Sequence, residues 1–416
     1  MYKALAVILA GGTGERLSIL SQERAKPAVP FAGKYRIIDF TLNNCVNSGV
    51  RNVIVLTQYQ PLSLAEHIGV GAPWGLVPPD RSIRLLQPYL ARERGRDWYK
   101  GTADAVYQNL DHINIEEMET ILILSGDHVY KMDYSWMLEY HKEKKADVTL
   151  SVIRMPEEDL QRFGTVIADE NGRVVRFQEK VKHPVSNLVS MGVYIFNKDV
   201  LRQWLESRTG HDFGRNIFPK MAARGKVFAY IFEGYWRDIG TVESYWQANM
   251  EVLQMCQPFL SDAGWPIRTK EEESAPTVIY DTAEVINSLI SAGCVIEGQV
   301  EHSVLSPGVK VAGGAIVRDS IIMNDSVIGP NSVIDRSILD KEVVVEAGCH
   351  VGFGDEFHAN RKNPKVLNTG LTIIGKRAEI PSEFKIGRNC IIYSNVVGSD
   401  FSGSEVPSGE TIRPKR

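Results

Sequence analysis

The chain has 416 residues, of which 44% are hydrophobic and 24% are charged, which is the composition of an ordinary globular protein. Its net charge of −4 at pH 7 provides no basic field for nucleic acid. No apolar run approaches the ~20 residues that a membrane-spanning helix needs. We therefore expect neither nucleic acid nor a membrane as a partner, and the length predicts two or three domains.

The five cysteines are scattered, odd in number and without a C-x-x-C pair. They are Cys45, Cys256, Cys294, Cys349 and Cys390. This pattern disfavours a disulfide framework or a zinc site, and it is typical of a protein of the reducing cytoplasm.

Short aliphatic runs alternate with helical stretches over residues 1–250, which predicts an α/β domain with a mostly parallel sheet. The predicted strands are Leu5–Leu9, Asn52–Leu56, Thr120–Leu124, Val148–Val152, Thr165–Ala168, Val174–Gln178 and Gly192–Phe196. Helices are predicted at 40–48, 61–68, 102–112, 134–144 and 200–206.

A polar run at 271–276 predicts a linker, which we place at 251–285. From 286 to 416, aliphatic residues recur about every six positions. They are Ile316, Ile322, Ile328, Ile334, Leu339, Val345 and Val351, then Ile374, Ile380, Ile386 and Ile392. This period fits neither a helix nor an alternating strand, and it predicts a parallel β-helix with a long loop at 352–371.

A glycine-rich stretch at 11–14 follows the first predicted strand, and Arg-Ala-Lys-Pro-Ala follows at 24–28. Ligands gather at the carboxyl ends of strands in open α/β sheets, so this loop is expected to border a site. Leu17 stands where the dinucleotide fingerprint has its third glycine, and the Gly-Lys-Ser/Thr of a Walker loop is missing. Glycine N–H groups can approach phosphate, with Arg16 and Lys26 supplying charge. A strand-to-helix turn with solvated cations is the alternative.

The segment 98–106 places Gly-Thr-Ala at a predicted helix start, where free N–H groups can receive phosphate or a base edge. A capped helix with core aromatic residues is the alternative. Further along, a predicted buried strand ends in Gly126-Asp127, and Asp238 lies in Tyr-Trp-Arg-Asp-Ile-Gly-Thr at 235–241. Both carboxylates are candidate Mg²⁺ ligands, and a turn cap or an ion pair with Arg237 is the alternative.

Glu179 and Lys180 follow one another in a predicted strand, so we expect them to face opposite sides rather than to pair. Lys180 is a candidate for binding a sugar phosphate, and Glu179 for accepting sugar hydroxyls. A solvated edge strand is the alternative. Segments 163–165 and 190–194 are candidates for further backbone and hydroxyl contacts.

These motifs are specific in combination and order. With Arg36-Ile-Ile-Asp-Phe40, Asp212-Phe-Gly214, Trp265-Pro-Ile-Arg-Thr269 and Asn287-Ser-Leu-Ile290, they closely resemble bacterial ADP-glucose pyrophosphorylases from residue 5 to about 350. The resemblance implies a Rossmann-like nucleotidyltransferase domain over 1–250 and a left-handed parallel β-helix over 286–416. It also implies a homotetramer regulated by small-molecule effectors.

The resemblance assigns roles to the matching positions. It implies contacts with glucose 1-phosphate for Tyr99, Gly164, Glu179, Lys180 and Ser190. It implies contacts with the nucleotide for Leu9, Ala10, Gly11, Gly12, Gly101, Thr102 and Ala103. Mg²⁺ coordination is implied for Asp127 and Asp238, and catalytic roles are implied for Asp127, Arg16 and Lys26. The implied reaction is ATP plus glucose 1-phosphate giving ADP-glucose and pyrophosphate, for glycogen synthesis. Another nucleotide or sugar phosphate, or a catalytically silent regulatory subunit, is the alternative.

Two departures from the family pattern concern regulation. Glu23 stands where enterobacterial members have a lysine for the activator phosphate, and a carboxylate there should repel such a ligand. The stretch 355–372 is closer to the plant and cyanobacterial type. We therefore expect a different activator or a different activator site.

Overall fold

The computed structural model describes residues 3–12, 14–78, 81–88, 98–111, 113, 118–255 and 259–415. Cys256 lies outside this range. The described chain divides into two compact units, residues 1–12 with 40–236 and residues 13–39 with 237–416. Among the described residues, we find no helix with the length and apolar composition that crossing a membrane requires.

Seven α-helices form from the described residues: α1 (Ile37–Asn47), α2 (Pro61–Ile68), α3 (Thr102–Gln108), α4 (Tyr134–Glu143), α5 (Lys198–Glu206), α6 (Phe218–Arg224) and α7 (Val242–Gln254). The strands before the repeats are β1 (Ala4–Ala10), β2 (Pro30–Phe31), β3 (Tyr35–Arg36), β4 (Asn52–Thr57), β5 (Ser82–Leu86), β6 (Thr120–Ser125), β7 (His128–Tyr130), β8 (Val148–Arg154), β9 (Gly164–Ala168), β10 (Val174–Glu179), β11 (Leu188–Asn197), β12 (Val227–Ile231) and β13 (Trp236–Asp238). A single π-helical turn spans Phe213–Ile217.

In the first unit, the described residues form a sheet of nine strands with the order β10-β9-β11-β6-β1-β4-β5, in which β8 pairs with β11 and β12 pairs with β8. Among the described strands of this sheet, only β10 and β11 run opposite to the others. The predicted mostly parallel sheet is therefore confirmed, with β11 as an antiparallel strand inside it. β1 pairs in parallel with both β4 and β6, which brings the carboxyl ends of these three strands to one edge.

Helices cover both faces of this sheet. Leu5 and Val7 of β1 belong to one buried cluster with side chains of α3, α5 and α6. On β8, Val148 and Leu150 belong to the same cluster, whereas Thr149 between them bonds His141 of α4. Because successive strand residues face opposite sides, α4 lies on the other face.

The second unit contains a parallel β-helix, to which the described residues contribute twenty short strands. These are β14 (Val278–Ile279), β15 (Glu284–Ile286), β16 (Leu289–Ile290), β17 (Val295–Ile296), β18 (Gln299–Glu301), β19 (Val304–Leu305), β20 (Lys310–Val311), β21 (Ile316–Arg318), β22 (Ile321–Ile322), β23 (Val327–Ile328), β24 (Val333–Asp335), β25 (Ser337–Leu339), β26 (Val344–Val345), β27 (His350–Phe353), β28 (Thr372–Ile374), β29 (Glu379–Ile380), β30 (Lys385–Gly387), β31 (Ile391–Ile392), β32 (Glu405–Val406) and β33 (Thr411–Ile412). They stack in three parallel sheets, one for each side of the coil. The hexapeptide period and these sheets are those of a left-handed parallel β-helix.

From β15 to β33, each strand places one aliphatic side chain in or against a continuous core, whereas Val278 and Ile279 of β14 are exposed. The predicted period needs one correction. Ile316 is only half-buried, and its neighbour Val317 is the residue that stacks between Val300 and Ile334. The six-residue count points to Ile316, but this count drifts by one position where a strand carries two adjacent aliphatic residues. The predicted loop at 352–371 matches the gap between β27 and β28.

Residues 13–39 contact the rest of the second unit through specific polar contacts. The Tyr245 hydroxyl of α7 donates to the Pro30 carbonyl at 2.6 Å, and the Ala32 N–H donates to Asn249 Oδ1 at 2.9 Å. The first β-helix strand starts at Val278, before the boundary predicted at 286. The unit that holds the β-helix therefore also holds a segment from near the start of the chain.

Candidate active site

The predicted nucleotide loop begins where β1 ends. The Gly126 N–H donates to the Leu9 carbonyl at 3.1 Å, so the glycine-rich loop and the Gly-Asp turn after β6 lie side by side at the sheet edge. Ala10 is buried and Gly12 is exposed. A Cβ at Gly11 would lie 3.3 Å from Gln58 Cβ, so there is little room for a side chain. The predicted ligand edge of the sheet thus has glycine backbone facing solvent.

Asp127 lies at this edge with a fixed carboxylate. The Ser125 hydroxyl donates to Asp127 Oδ1, and His128 Nε2 lies 3.5 Å from the same oxygen. The His128 ring packs edge-on against Trp236 at 5.1 Å between ring centroids. The carboxylate is thereby oriented from the protein side, while 27% of the side chain stays exposed. Ser125 is a part of this arrangement that the sequence motif did not single out.

Glu179 lies between two glycines at the end of β10. A Cβ added to Gly164 would lie 2.7 Å from Glu179 Oε2, and one added to Gly214 would lie 2.5 Å from the same oxygen. Any larger residue at either position would displace the carboxylate. Burial raises the pKa of Glu179, and the neighbouring Lys180 opposes this effect while Asp212 adds to it. The two glycines therefore form a cradle for one partly desolvated carboxylate.

The expectation that Glu179 and Lys180 face opposite sides is wrong. Lys180 Nζ lies 3.7 Å from Glu179 Oε1. The strand ends at Glu179, and Lys180 has a positive φ of 50°, so the strand alternation no longer applies. About half of the Lys180 side chain is exposed, so the pair is solvated and its ammonium remains accessible to an anion.

Ser190 joins the same region from β11. Its hydroxyl donates to the Tyr194 hydroxyl at 3.4 Å. Burial raises the pKa of Tyr194, and the charges of Glu179 and Asp212 act in the same direction. Glu179 pairs with Gly164 across β10 and β9, and Val189 next to Ser190 pairs with Thr165 next to Gly164. The predicted sugar-phosphate residues Gly164, Glu179, Lys180 and Ser190 are thus near one another in the sheet of the first unit.

The start of α3 is packed against residues 211–213. The Ala103 and Asp104 N–H groups donate to the His211 carbonyl at 2.9 and 3.0 Å, so the expectation of free N–H groups is wrong for these two. The Thr102 hydroxyl donates to Asp212 Oδ2 and accepts from the Phe213 N–H, both at 3.1 Å.

Two neighbouring positions complete this part of the site. A Cβ at Gly101 would clash with the His211 carbonyl, which explains a glycine there. The half-buried Tyr99 hydroxyl accepts from Asn109 Nδ2 at 2.9 Å. From the sequence, Asp212 and Gly214 stand out only as part of the family motif. Their contacts with the site could not be predicted, because a hydrogen bond between residues that are 110 positions apart leaves no local sequence pattern.

The second unit contains the remaining predicted residues. Lys26 Nζ lies 3.4 Å from Asp238 Oδ1, with 9% and 15% of the two side chains exposed. A predicted phosphate ligand and a predicted metal ligand are therefore paired. Arg16 is exposed on a 3₁₀ turn at Glu15–Ser21. Glu23 Oε2 lies 3.4 Å from Arg377 Nη2. The glutamate that replaces the enterobacterial activator lysine therefore forms an ion pair with an arginine.

Comparison with known proteins identifies relatives of both parts of the chain. Residues 5–255 match the nucleotidyl transferase family, and residues 277–374 match the GlmU-like C-terminal hexapeptide family. A glucose-1-phosphate adenylyltransferase of Thermomicrobium roseum is 51% identical over all of this chain and 98% of its own length. The enzymes of that name from Acetivibrio thermocellus and Thermotoga neapolitana are 45% and 43% identical, over 98% and 100% of this chain and 97% and 100% of their own lengths. The chain belongs to the nucleotidyl transferase family and, within it, to the glucose-1-phosphate adenylyltransferases.

Proposed function

We propose that the protein transfers the AMP part of ATP to glucose 1-phosphate and releases pyrophosphate. The product, ADP-glucose, would be the glucosyl donor for glycogen synthesis. The observation that carries this proposal is the Glu179 cradle, since it joins a carboxylate for sugar hydroxyls to the accessible Lys180 ammonium. The names of the full-length relatives support the choice of ATP and glucose.

The reaction needs positioning and charge neutralisation more than proton transfer. An oxygen of glucose 1-phosphate attacks the α-phosphorus of ATP, one P–O bond forms, and the bond to the departing pyrophosphate breaks in line. Because the nucleophile is already ionised, no general base is required. Lys180 holds the sugar phosphate, while Arg16 and Lys26 offset charge on the nucleotide phosphates. Leu9–Gly12 and Gly101–Ala103 face the nucleotide, and Tyr99 and Ser190 the sugar phosphate.

Asp127 and Asp238 are the proposed Mg²⁺ ligands. Mg²⁺ prefers one or two carboxylates together with phosphate oxygens and water. Asp127 fits this preference, because Ser125 orients its carboxylate and part of the side chain remains exposed. Asp238 is a half-buried carboxylate beside Lys26. Bound there, Mg²⁺ would neutralise charge on the phosphates.

The test is pyrophosphate release by the purified protein with glucose 1-phosphate and Mg²⁺. ATP should support turnover at least tenfold better than UTP, GTP or dTTP, and EDTA should abolish it. A preference for another nucleotide would favour the alternative substrate class. Lack of turnover with every nucleotide would instead favour a regulatory subunit.

We further propose a homotetramer that responds to metabolite effectors in the reducing cytoplasm. The family resemblance supports the assembly, and buried free thiols at Cys45, Cys294, Cys349 and Cys390 support the compartment. Light scattering during gel filtration would test the assembly. A screen of phosphorylated and carboxylate metabolites in the turnover assay would test regulation, with Glu23→Lys asking whether a cation at position 23 changes which effector acts.

A further inference from the structure

The side-chain amide of Asn109 is buried at the end of α3 and uses both of its hydrogens. Nδ2 donates to the Ala105 carbonyl at 2.8 Å and to the Tyr99 hydroxyl oxygen at 2.9 Å. A carbonyl only accepts, so the Ala105 contact fixes which end of the amide points inward. Tyr99 must therefore act as the acceptor in its contact with Asn109.

This contact restricts what the Tyr99 hydroxyl can do. Its oxygen receives the Asn109 hydrogen, so its own hydrogen points elsewhere, and none of the described residues accepts it. Burial raises the pKa of Tyr99, as does the nearby Asp104 charge, so the phenol stays protonated at neutral pH. Among the described residues, this neutral O–H has no acceptor, and its hydrogen points away from Asn109 Nδ2, so a ligand oxygen on that side can accept it.

Packing alone does not explain an asparagine at this position. Asn109 is 1% exposed, and its Oδ1 is buried without a hydrogen-bond partner among the described residues. An unsatisfied buried acceptor is unfavourable, and an apolar side chain of similar volume would avoid it. Asn109 therefore carries a cost at Oδ1 that an apolar residue would avoid, and what it provides in return is the pair of Nδ2 hydrogen bonds to Ala105 and Tyr99.

We propose that Asn109 is a positioning residue that makes Tyr99 a hydrogen-bond donor to a phosphate oxygen of bound glucose 1-phosphate. A phosphate oxygen only accepts, so it matches a phenol that can only donate. This inference rests on the proposed function, because it takes glucose 1-phosphate as the ligand near Tyr99.

Asn109→Asp tests the proposal with almost no change in shape. A carboxylate would accept the Tyr99 O–H and so remove it from the substrate. We expect the KM for glucose 1-phosphate to rise about tenfold with little change in kcat, as in Tyr99→Phe. Asn109→Leu, which lets the hydroxyl rotate, should raise it less and serves if the buried carboxylate prevents folding. Asn197→Asp, the same change at an exposed helix cap, should leave KM unchanged.

The decisive measurement is the KM for glucose 1-phosphate of each Asn109 variant combined with Tyr99→Phe. If Asn109 acts through Tyr99, neither variant raises KM further there. Multiplied effects, or a normal KM in both single variants, would overturn the assignment.

Calorimetric binding of glucose 1-phosphate, with and without a non-hydrolysable ATP analogue, repeats the cycle without turnover. A wild-type protein that makes no ADP-glucose yet shows this coupling would refute the proposed function and support the role of Asn109. Absence of coupling in binding would refute the role of Asn109 alone.

Discussion

The Asp127 carboxylate is held by the Ser125 hydroxyl and keeps an exposed side, a combination that suits a metal ligand. Asp127→Asn should retain the fold, because the amide oxygen still accepts from Ser125. We expect kcat to fall at least about 100-fold and the Mg²⁺ concentration for half-maximal rate to rise. Asp133→Asn is the matched control, since asparagine also caps α4, and it should leave turnover unchanged. Near-normal turnover in Asp127→Asn would remove Asp127 from the mechanism.

Glu179 shows a conflict between stability and binding. Burial raises its pKa, so the ionised form destabilises the folded state above the pKa of the unfolded chain. Glu179→Gln should therefore be at least as stable as wild type at neutral pH in urea unfolding. It should also raise the KM for glucose 1-phosphate and abolish the rise in KM that protonation causes at acid pH. A variant with unchanged KM would exclude Glu179 from the sugar contacts.

At the scale of elements, α4 is attached to β8 by a histidine that cannot easily be charged. His141 Nδ1 lies 2.9 Å from Thr149 Oγ1, and burial lowers the pKa of His141 to about 4, against a smaller opposing effect of Asp147. Between pH ~6.5 and 4 the unfolded chain binds a proton that the folded chain does not. The free energy of unfolding should fall by up to about 3 kcal/mol across this range as pH decreases. His141→Gln should flatten this slope; an unchanged slope would contradict the assignment.

Local patterns account for most of the elements but not for contacts beyond their ends. The predicted helix at 61–68 and the strand at 52–56 agree with the structure almost to the residue, because turn residues bound clear apolar runs. The orientation of Lys180 is predicted wrongly because strand alternation does not indicate where a strand ends. The burial of Ile316 is predicted wrongly because a fixed period does not indicate which of two adjacent aliphatic residues faces the core. The bonds from α3 to His211 and Asp212 join segments that no short-range pattern relates.

At the scale of the whole molecule, Arg24 joins residues 13–39 to the β-helix across 316 positions of sequence. Its Nη1 lies 2.8 Å from Asp340 Oδ1, with 5% and 2% of the side chains exposed. Arg24→Leu should cost about 3–5 kcal/mol, because it leaves the Asp340 charge buried and unpaired. Arg24→Leu with Asp340→Asn should recover much of this loss in a double-mutant cycle measured by urea unfolding. Additive losses would show that the pair is not coupled.

The chain between β27 and β28 forms an excursion, a loop that protrudes from the coil at residues 354–371. This loop does not change the register in which successive coils stack. Strands on both sides of it keep their partners, since β25 pairs with β28 and β27 with β30. The buried Asn360 fastens the excursion to the Asn389 and Glu410 carbonyls, while Lys362 and Lys365 near its tip are exposed. Loop-closure entropy grows only slowly with length. We therefore expect this tip to accept an inserted peptide, natural or engineered, without a change in the strand pairing of the β-helix.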